Sequence, residues 1–432
     1  MPTAAFYTLG CKVNQYESFS MMGAFSAAGF TIVEPEDTAD VYVINSCTVT
    51  AAGDRKSLKA LRKFRRQAPG AVIVLCGCMP QAFPEKASGL DEADIIMGSK
   101  NRSAVLDAAV KRLSGGGRLV DIPAHQTGEA FEKTNTPAHS ERTRAFLKIE
   151  DGCERDCAYC IIPKARGPVR SKLPGDIRAE LTQLTGAGYR EVVLTGVNLS
   201  CYGQDLGVHL NDAIEAACQS GIERVRLGSL EPDLISTDDC ARWAQVGAGV
   251  LCPQFHLSLQ SGCDRTLNSM NRRYSADDYR STVKALRRYF PGCAVTTDVM
   301  VGFPNEREED HAASLNFIRE IGFAKAHVFA YSPRPGTAAA EMAGQIPGQV
   351  ASRRAREMAE TTDTSRQTFL QSRIGQTYSV LFETLEESGL YSGYTPCYTP
   401  VAVSAGRDVR GKVLPVLITE QSKDGCIGVL VD

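Results

Sequence analysis

Short apolar runs alternate with amphipathic stretches along most of this chain, and that alternation leaves few folds open to it. From the N-terminus, AFYTL reads as a strand and Asn14 to Gly29 as a helix with its apolar residues on one side. VYVIN follows as a strand, then the basic helix Asp54–Gln67, the strand AVIVLC, a further helical stretch, ADIIMG and the helix Asn101–Leu113. Elements of this length in this order predict an α/β domain, an open parallel sheet covered by helices. SGGG closes the block, and the polar, aperiodic stretch from about Asp121 to Arg142 reads as a linker. The first domain is therefore set at 1–121 and the linker at 122–142.

A second alternating block begins at AFLKIE. Its strands are expected at Ala145–Ile149, Glu191–Gly196, Arg224–Ser229, Phe255–Leu259, Ala294–Met300 and Ala326–Tyr331, with the clearest helices at Ala276–Tyr289 and Glu308–Ile321. Six strand–helix repeats fit an incomplete (β/α) barrel better than a flat sheet, and in either fold active residues collect at the C-terminal strand ends. An arginine-rich helix, Val350–Leu370, ends this domain (143–371). YSVLFETL, LYSGYT, PVAVSA and GVLVD then give the last domain (372–432) the pattern of a small β-barrel.

At 432 residues the chain has room for two or three self-sufficient cores, and its 43% apolar and 23% charged residues are ordinary for a globular protein. No stretch approaches the roughly 20 apolar residues of a membrane span. The opening MPTAAFYTLGCKVNQ has neither a basic leader nor a cleavable apolar core, so a cytoplasmic location without membrane contact is expected. Net charge is −2, so any contact with nucleic acid must come from local basic patches.

Fifteen cysteines stand out. Without an export signal, metal or redox chemistry explains them better than disulfides, and an odd number excludes complete pairing. Many are expected to be small buried hydrophobes, so spacing must select the rest. Cys153, Cys157 and Cys160 form a C-x3-C-x2-C run directly after a predicted strand. Three thiolates on one tight loop suit three irons of a [4Fe–4S] cube and leave the fourth iron open. A zinc site would want four ligands in paired C-x2-C hooks, and no second hook follows. Cys11, Cys47, Cys76 and Cys78 each lie at or just beyond a predicted strand end. On one edge of a parallel sheet, three of them could converge on a second cluster, or they could be buried strand-end thiols.

The triplet and the motifs downstream of it resemble the radical S-adenosylmethionine superfamily. The resemblance implies that Tyr159, beside the last cysteine, lies next to the cofactor's adenine. It implies further cofactor contacts from Thr195 and Gly196 in LTGVN, Ser258 and Gln260 in LSLQSG, and Val301 in DVMVGFP. LGCKVNQYES, VINSCTVT and LCGCMPQ, with RGPVRS, GSLEP and MNRRY downstream, resemble the methylthiotransferase family within that superfamily. Carried over position by position, Cys11, Cys47 and Cys78 are ligands of an auxiliary cluster. Cys78 is preferred to Cys76 because the family segment Gly-Cys-x-x-Gln matches Gly77 to Gln81, which leaves Cys76 as packing.

The family implies a (β/α)6 radical barrel and a C-terminal TRAM-like module that holds RNA, with two [4Fe–4S] clusters and S-adenosyl-L-methionine as cofactors. It also implies a tRNA substrate rather than DNA, and an electron donor such as flavodoxin or ferredoxin. The expected reaction converts the adenine C2–H into C–S–CH3, with the triplet as the catalytic cluster. LGCKVNQYES and the tail GYTPCYTPV resemble the branch acting on N6-threonylcarbamoyladenosine. The isopentenyladenosine branch is the alternative, and a non-catalytic iron–sulfur RNA-binding scaffold is the alternative of another class. Gly228 and Cys397 depart from the serine and asparagine expected there.

Arg55, Lys59, Arg62 and Arg66 recur at i, i+4, i+7 and i+11 and make one basic stripe. The stripe is either a solvated face or a track for RNA phosphates. Arg353, Arg354 and Arg356 form a second candidate patch. From Ser372 onward five basic residues face seven acidic ones, so RNA contacts there would have to be directional. A threonyl carboxylate needs a cation, for which Arg272, Arg273 and Lys164 are the candidates.

Overall fold

A computed structural model of the chain describes residues 1–134 and 143–431. The first domain is a six-stranded parallel sheet of β1 (Thr3–Thr8), β2 (Thr31–Val33), β3 (Val41–Ser46), β4 (Val72–Gly77), β5 (Ile95–Met97) and β6 (Leu119–Asp121). Its order is β2-β1-β3-β4-β5-β6. The central strands β3 and β4 are buried throughout, as continuous apolar runs in a parallel sheet require. Tyr42, Ile44, Ile73 and Leu75 pack on one face with Leu61 and Phe64, while Val41, Val43 and Val74 pack on the other with Met21 and Phe25. The edge strands β2 and β6 have no counterpart in the sequence reading, because three residues carry too little periodicity to be seen.

The second domain begins with β7 (Arg144–Lys148) and a small antiparallel pair, β8 (Glu150–Asp151) with β9 (Arg170–Ser171). Parallel strands β10 (Glu191–Thr195), β11 (Arg224–Leu227), β12 (Ser229–Leu230), β13 (Gln254–Leu257), β14 (Ala294–Val301) and β15 (Lys325–Ala330) follow. They pair as β11-β10-β7 and β12-β13-β14-β15. Only Gly228 separates β11 from β12, so the two sheets form one six-position partial barrel. No described pairing joins β15 to β7, which leaves a seam on that side. The apolar core lies between the barrel and its helices and includes Leu147, Leu194, Trp243, Phe255, Val299 and Phe317.

The C-terminal domain is a closed barrel of β16 (Thr377–Leu385), β17 (Tyr391–Tyr394), β18 (Pro400–Val403), β19 (Val413–Gln421) and β20 (Cys426–Leu430), ordered β16-β17-β18-β20-β19. Closure removes the exposed strand edges. Local pattern marks four of these strands but not β19, whose Pro415 argues against a central strand. The barrel accepts that proline opposite Ser379, and its carbonyl receives the Val431 N–H at 3.1 Å.

The small barrel caps the N-terminal mouth of the partial barrel. Arg224 donates to the carbonyls of Tyr394 (3.0 Å) and Ser379 (2.7 Å). Arg226 donates to those of Pro396 (2.6 Å) and Thr395 (3.0 Å) while pairing with the buried Glu191 at 2.8 Å. Cys397 packs beside Ala294 and Ala324 in this interface. The C-terminal mouth, where the cysteine triplet lies, therefore faces the first domain.

The described part of the linker, 122–134, is a packed strap rather than a free tether. Its Thr134 carbonyl accepts from Tyr16 Oη at 2.7 Å, its Glu132 accepts from Ser103 N at 3.0 Å, and the Phe131 ring lies 5.3 Å from Lys148 Nζ. The rest of the linker lies outside the described residues.

Arg226→Ala leaves Glu191 without its main buried partner and two carbonyls without donors. We expect a loss of about 3–5 kcal/mol, read as a lower urea midpoint, together with easier proteolytic release of the C-terminal barrel. An unchanged midpoint would remove Arg226 as the clamp between these domains.

Candidate functional site

The triplet loop begins where the chain leaves the barrel. Gly152 has φ +91°, and a Cβ there would lie 1.9 Å from the Pro168 carbonyl oxygen, so only glycine allows the turn. Cys153 N then bonds to the Gly167 carbonyl (3.0 Å), Ala158 N to that of Met270 (2.9 Å) and Cys160 N to that of Cys157 (3.0 Å). Burial pushes the Cys153 thiol up to about 11 and that of Cys160 up to about 12, so metal binding must displace protons there. Donors to the sulfurs are in place. Arg272 Nη1 is 3.3 Å from Cys157 Sγ, and Asn198 Nδ2 is 3.8 Å from Cys153 Sγ. Glu231 orients both donors, at 2.8 Å from Arg272 Nη2 and 2.7 Å from Asn198 Nδ2.

The three cysteines open onto a cavity of about 120 Å³ that is also lined by Tyr159, Asn198, Ser258, Glu231 and Arg272. Tyr159 and Ser258 are thus at the cavity, as the resemblance implies. Thr195 and Val301 are buried at their strand ends, outside its lining. Gly196 makes room for a neighbour. A Cβ there would lie 2.4 Å from Glu150 Oε2, which accepts from Asn198 N at 2.8 Å. Gln260 adopts φ +64°, bonds through its N–H to Asp298 O at 2.9 Å, and leaves its buried Oε1 without a partner. Asn198, Glu231 and Arg272 are not singled out as cofactor contacts by the sequence, although LTGVN, GSLEP and MNRRY contain them.

Cys11, Cys47 and Cys78 come together at the C-terminal edge of the first sheet, on the side facing the barrel. Cys11 Sγ and Cys78 Sγ are each 3.9 Å from Asn14 Oδ1. A Cβ on Gly10 would lie 2.9 Å from Cys47 Sγ. Burial pushes the Cys78 thiol up to about 12 against the pull of Arg166, and Cys11 and Cys47 add to the rise. Cys76 takes no part in this group; it lies in the apolar core with Val72, Val74 and Ile95.

A buried charge network surrounds this edge. Arg102, Lys148 and Arg166 reach Glu17 at 3.0, 3.0 and 2.5 Å, and Lys148, Arg166 and Arg170 reach Asp151 at 3.1, 3.2 and 3.5 Å. Glu17 and Asp151, with Glu129 at 3.9 Å from Arg170, thus face four cations, Arg102, Lys148, Arg166 and Arg170. A cluster held by three thiolates is anionic and offsets that surplus, so the surroundings fit the group. Among the described residues no His, Cys, Asp or Glu group converges on a single metal ion. A cube whose thiolates each bind a different iron does not require that convergence.

The remaining basic residues separate by role. Arg55, Lys59, Arg62 and Arg66 are all exposed on the helix Ala51–Gln67, which starts at the Thr50 cap just beyond Cys47. Arg354 is buried and pairs with Glu306 at 2.8 Å, and Arg353 pairs with Glu308 and Glu357, so these two serve the fold, while Arg356 is exposed. Arg272 is committed to the triplet loop, and Arg273 pairs with Asp156 at the rim. Lys164 is exposed, with its Nζ 5.3 Å from the Phe83 ring.

Three thiols on a loop at the C-terminal mouth of a six-strand partial barrel, opening onto a polar cavity, define a radical S-adenosylmethionine protein. Comparison agrees: residues 147–318 match the radical SAM superfamily profile, and residues 3–98 match one described as uncharacterized protein family UPF0004. The threonylcarbamoyladenosine tRNA methylthiotransferase MtaB of Bacillus subtilis is 35% identical over 97% of this chain and 94% of its own length. Its namesake from Thermotoga maritima is 32% identical over 100% and 98%. A tRNA-2-methylthio-N(6)-dimethylallyladenosine synthase from Pelotomaculum thermopropionicum is 32% identical over 98% and 96%. In fold, the chain resembles the radical S-adenosylmethionine methyltransferase TsrM of Kitasatospora setae, with TM-score 0.58 and 13% identity over 78% and 77% of the two chains. The chain belongs to the tRNA methylthiotransferase family of radical S-adenosylmethionine enzymes.

Cys78→Ala should cut iron in the reconstituted protein by about half, because one of two four-iron clusters loses a ligand. Cys76→Ala should retain it all. Iron analysis showing the reverse would exchange the roles of the two residues.

Proposed function

We propose that this enzyme methylthiolates C2 of N6-threonylcarbamoyladenosine at position 37 of tRNA, using one [4Fe–4S] cluster on Cys153, Cys157 and Cys160 and a second on Cys11, Cys47 and Cys78. The observation that carries this reading is the pairing of two three-cysteine sets across one interface, in a chain similar over nearly its whole length to relatives so named. Those relatives' activity is taken over here as the proposed one. When bound, the clusters and S-adenosylmethionine supply the radical chemistry, the sulfur and the methyl group.

The chain's own residues supply placement and charge. Arg272 and Asn198 fix two thiolates of the triplet, and Tyr159 and Ser258 border the cavity beside them. Glu231 holds Arg272, Asn198 and Arg155 together, the last at 3.1 Å. The first domain and the capped barrel leave the C-terminal mouth as the meeting place for a tRNA base. The exposed stripe Arg55, Lys59, Arg62 and Arg66 gives phosphates a track toward Cys47. A small electron donor of flavodoxin or ferredoxin type, working in the cytoplasm, completes the proposal.

One cation favours the threonylcarbamoyl substrate over the isopentenyl one. Lys12 directly follows Cys11, is exposed, and has no ion-pair partner among the described residues. Its charge is felt together with those of Arg144 on β7, Arg226 and Glu191 across the barrel and His327 on β15. A lysine beside the Cys11 loop suits a threonyl carboxylate, and an apolar isopentenyl group gains nothing from it. The sequence alone points to Arg272, Arg273 and Lys164 for this role and passes over Lys12.

Purified enzyme given tRNA with and without the threonylcarbamoyl group should turn over only the former. Lys12→Met should lower kcat/KM on it by about tenfold to a hundredfold, the worth of one hydrogen bond to a charged group. Equal turnover of both tRNAs, or preference for isopentenyl-bearing tRNA, would overturn the substrate assignment.

Replacing Arg55, Lys59, Arg62 and Arg66 with Glu should weaken tRNA binding and flatten its dependence on salt. Each lost phosphate contact should reduce the log–log slope by about 1. An unchanged slope would make the stripe a solvated face.

A further inference from the structure

Asn14 sits where three loops meet. Its Nδ2 donates to the carbonyl of Leu9 (2.7 Å), on the loop that carries Cys11, and to that of Ser46 (3.0 Å), on the loop that carries Cys47. Its Oδ1 is 3.9 Å from both Cys11 Sγ and Cys78 Sγ and accepts from Arg166 Nη2 at 2.5 Å. The residue is fully buried, and Asn45 Nδ2 reaches its backbone carbonyl at 3.0 Å. One side chain thus touches all three ligand-bearing segments.

Arg166 is the matching piece from the other domain. Its Nε donates to Cys78 Sγ at 3.2 Å, and its two terminal nitrogens go to Glu17, Asp151 and Asn14. It closes the short helix Ile162–Arg166, which begins two residues after Cys160. Ile161 and Ala165 pack against Cys78 and Ala82, so the segment that leaves one cysteine set lies directly on the other.

We infer that Asn14 and Arg166 are the positioning pair of the auxiliary cluster, Asn14 fastening its three ligand loops together and Arg166 holding the Cys78 thiolate in register with the triplet. The inference rests on the proposed assignment of Cys11, Cys47 and Cys78 as cluster ligands. It has two physical consequences. A guanidinium donating to a ligand sulfur stabilises the reduced, more negative cluster and so raises its potential. A fork fixed at several acceptors also holds the segment from Cys160 to Arg166, so this side chain contributes to the spacing between the two sets.

A redox titration followed by electron paramagnetic resonance on the full-length, anaerobically reconstituted chain tests this role. Cys153, Cys157 and Cys160 are replaced by Ala so that one cluster is read. Arg166→Gln should keep the iron but lower the potential, with the reduced-to-oxidised ratio at fixed applied potential falling about tenfold, which is about 59 mV for one electron. Asn14→Asp adds a negative charge beside two thiolates and should shift the potential in the same direction. Arg166→Lys retains the charge and should shift it less. Because Asn14 and Arg166 touch, the double variant should depart from the sum of the two single shifts. Unchanged potentials in Arg166→Gln and Asn14→Asp, with iron retained, would overturn the positioning role. No iron at all in the triple-alanine background with Asn14 and Arg166 intact would instead overturn the ligand assignment on which it rests.

Discussion

The structure depends on one buried carboxylate. Glu17, on the helix that starts at Lys12, is 1% exposed and receives Arg102 from its own domain and Lys148 and Arg166 from the next. Burial opposes its ionisation, but Arg102, Arg166 and Lys148 hold it well below the usual carboxylate range. A charge so placed is costly unless every partner stays, and losing one partner of such a group costs several kcal/mol. The network therefore admits one docking of the first domain on the barrel, and it brings both cysteine sets to that interface. Arg334 repeats the device nearby, running from beyond β15 to Thr48 (2.6 Å) and Asp54 (2.9 Å) just after Cys47.

The same pairing of charges appears at both cysteine sets. Each has one arginine donating to one sulfur, Arg272 to Cys157 and Arg166 to Cys78, and each arginine is held by buried carboxylates. Thiols alone are unfavourable as anions in such surroundings, which is why burial raises those of Cys78, Cys153 and Cys160. Iron binding and these guanidinium groups together make the thiolate form stable. At the opposite mouth, Arg224 and Arg226 direct their donors at the carbonyls of the C-terminal barrel and seal the partial barrel from below.

Much of this is legible in the sequence because it depends on period and spacing. The parallel sheets, the six barrel strands and the triplet at a strand end all follow from local pattern, and the preference for Cys78 over Cys76 follows from the family resemblance. The features hidden from the sequence depend on distant partners. The room that Gly196 leaves for the Glu150 carboxyl on another strand shows only in the fold. Arg354 has the pattern of surface charge and is buried against Glu306. Pro415 conceals β19, since only the closed barrel shows where its missing N–H does no harm. Asn14 and Glu17 lie in plain view inside LGCKVNQYES, but a polar residue on a helix signals burial only once its partners from Ser46, Lys148 and Arg166 are known.

The proposed reaction draws the methylthio sulfur from the enzyme's own clusters. The most direct measurement is a single turnover by enzyme whose clusters have been rebuilt with sulfide carrying a heavy isotope, using unlabelled S-adenosylmethionine and threonylcarbamoyl-bearing tRNA. Mass spectrometry of the product nucleoside should find the heavy isotope in its methylthio group. An unlabelled methylthio group formed in that turnover would contradict the account, because the sulfur would then have come from elsewhere.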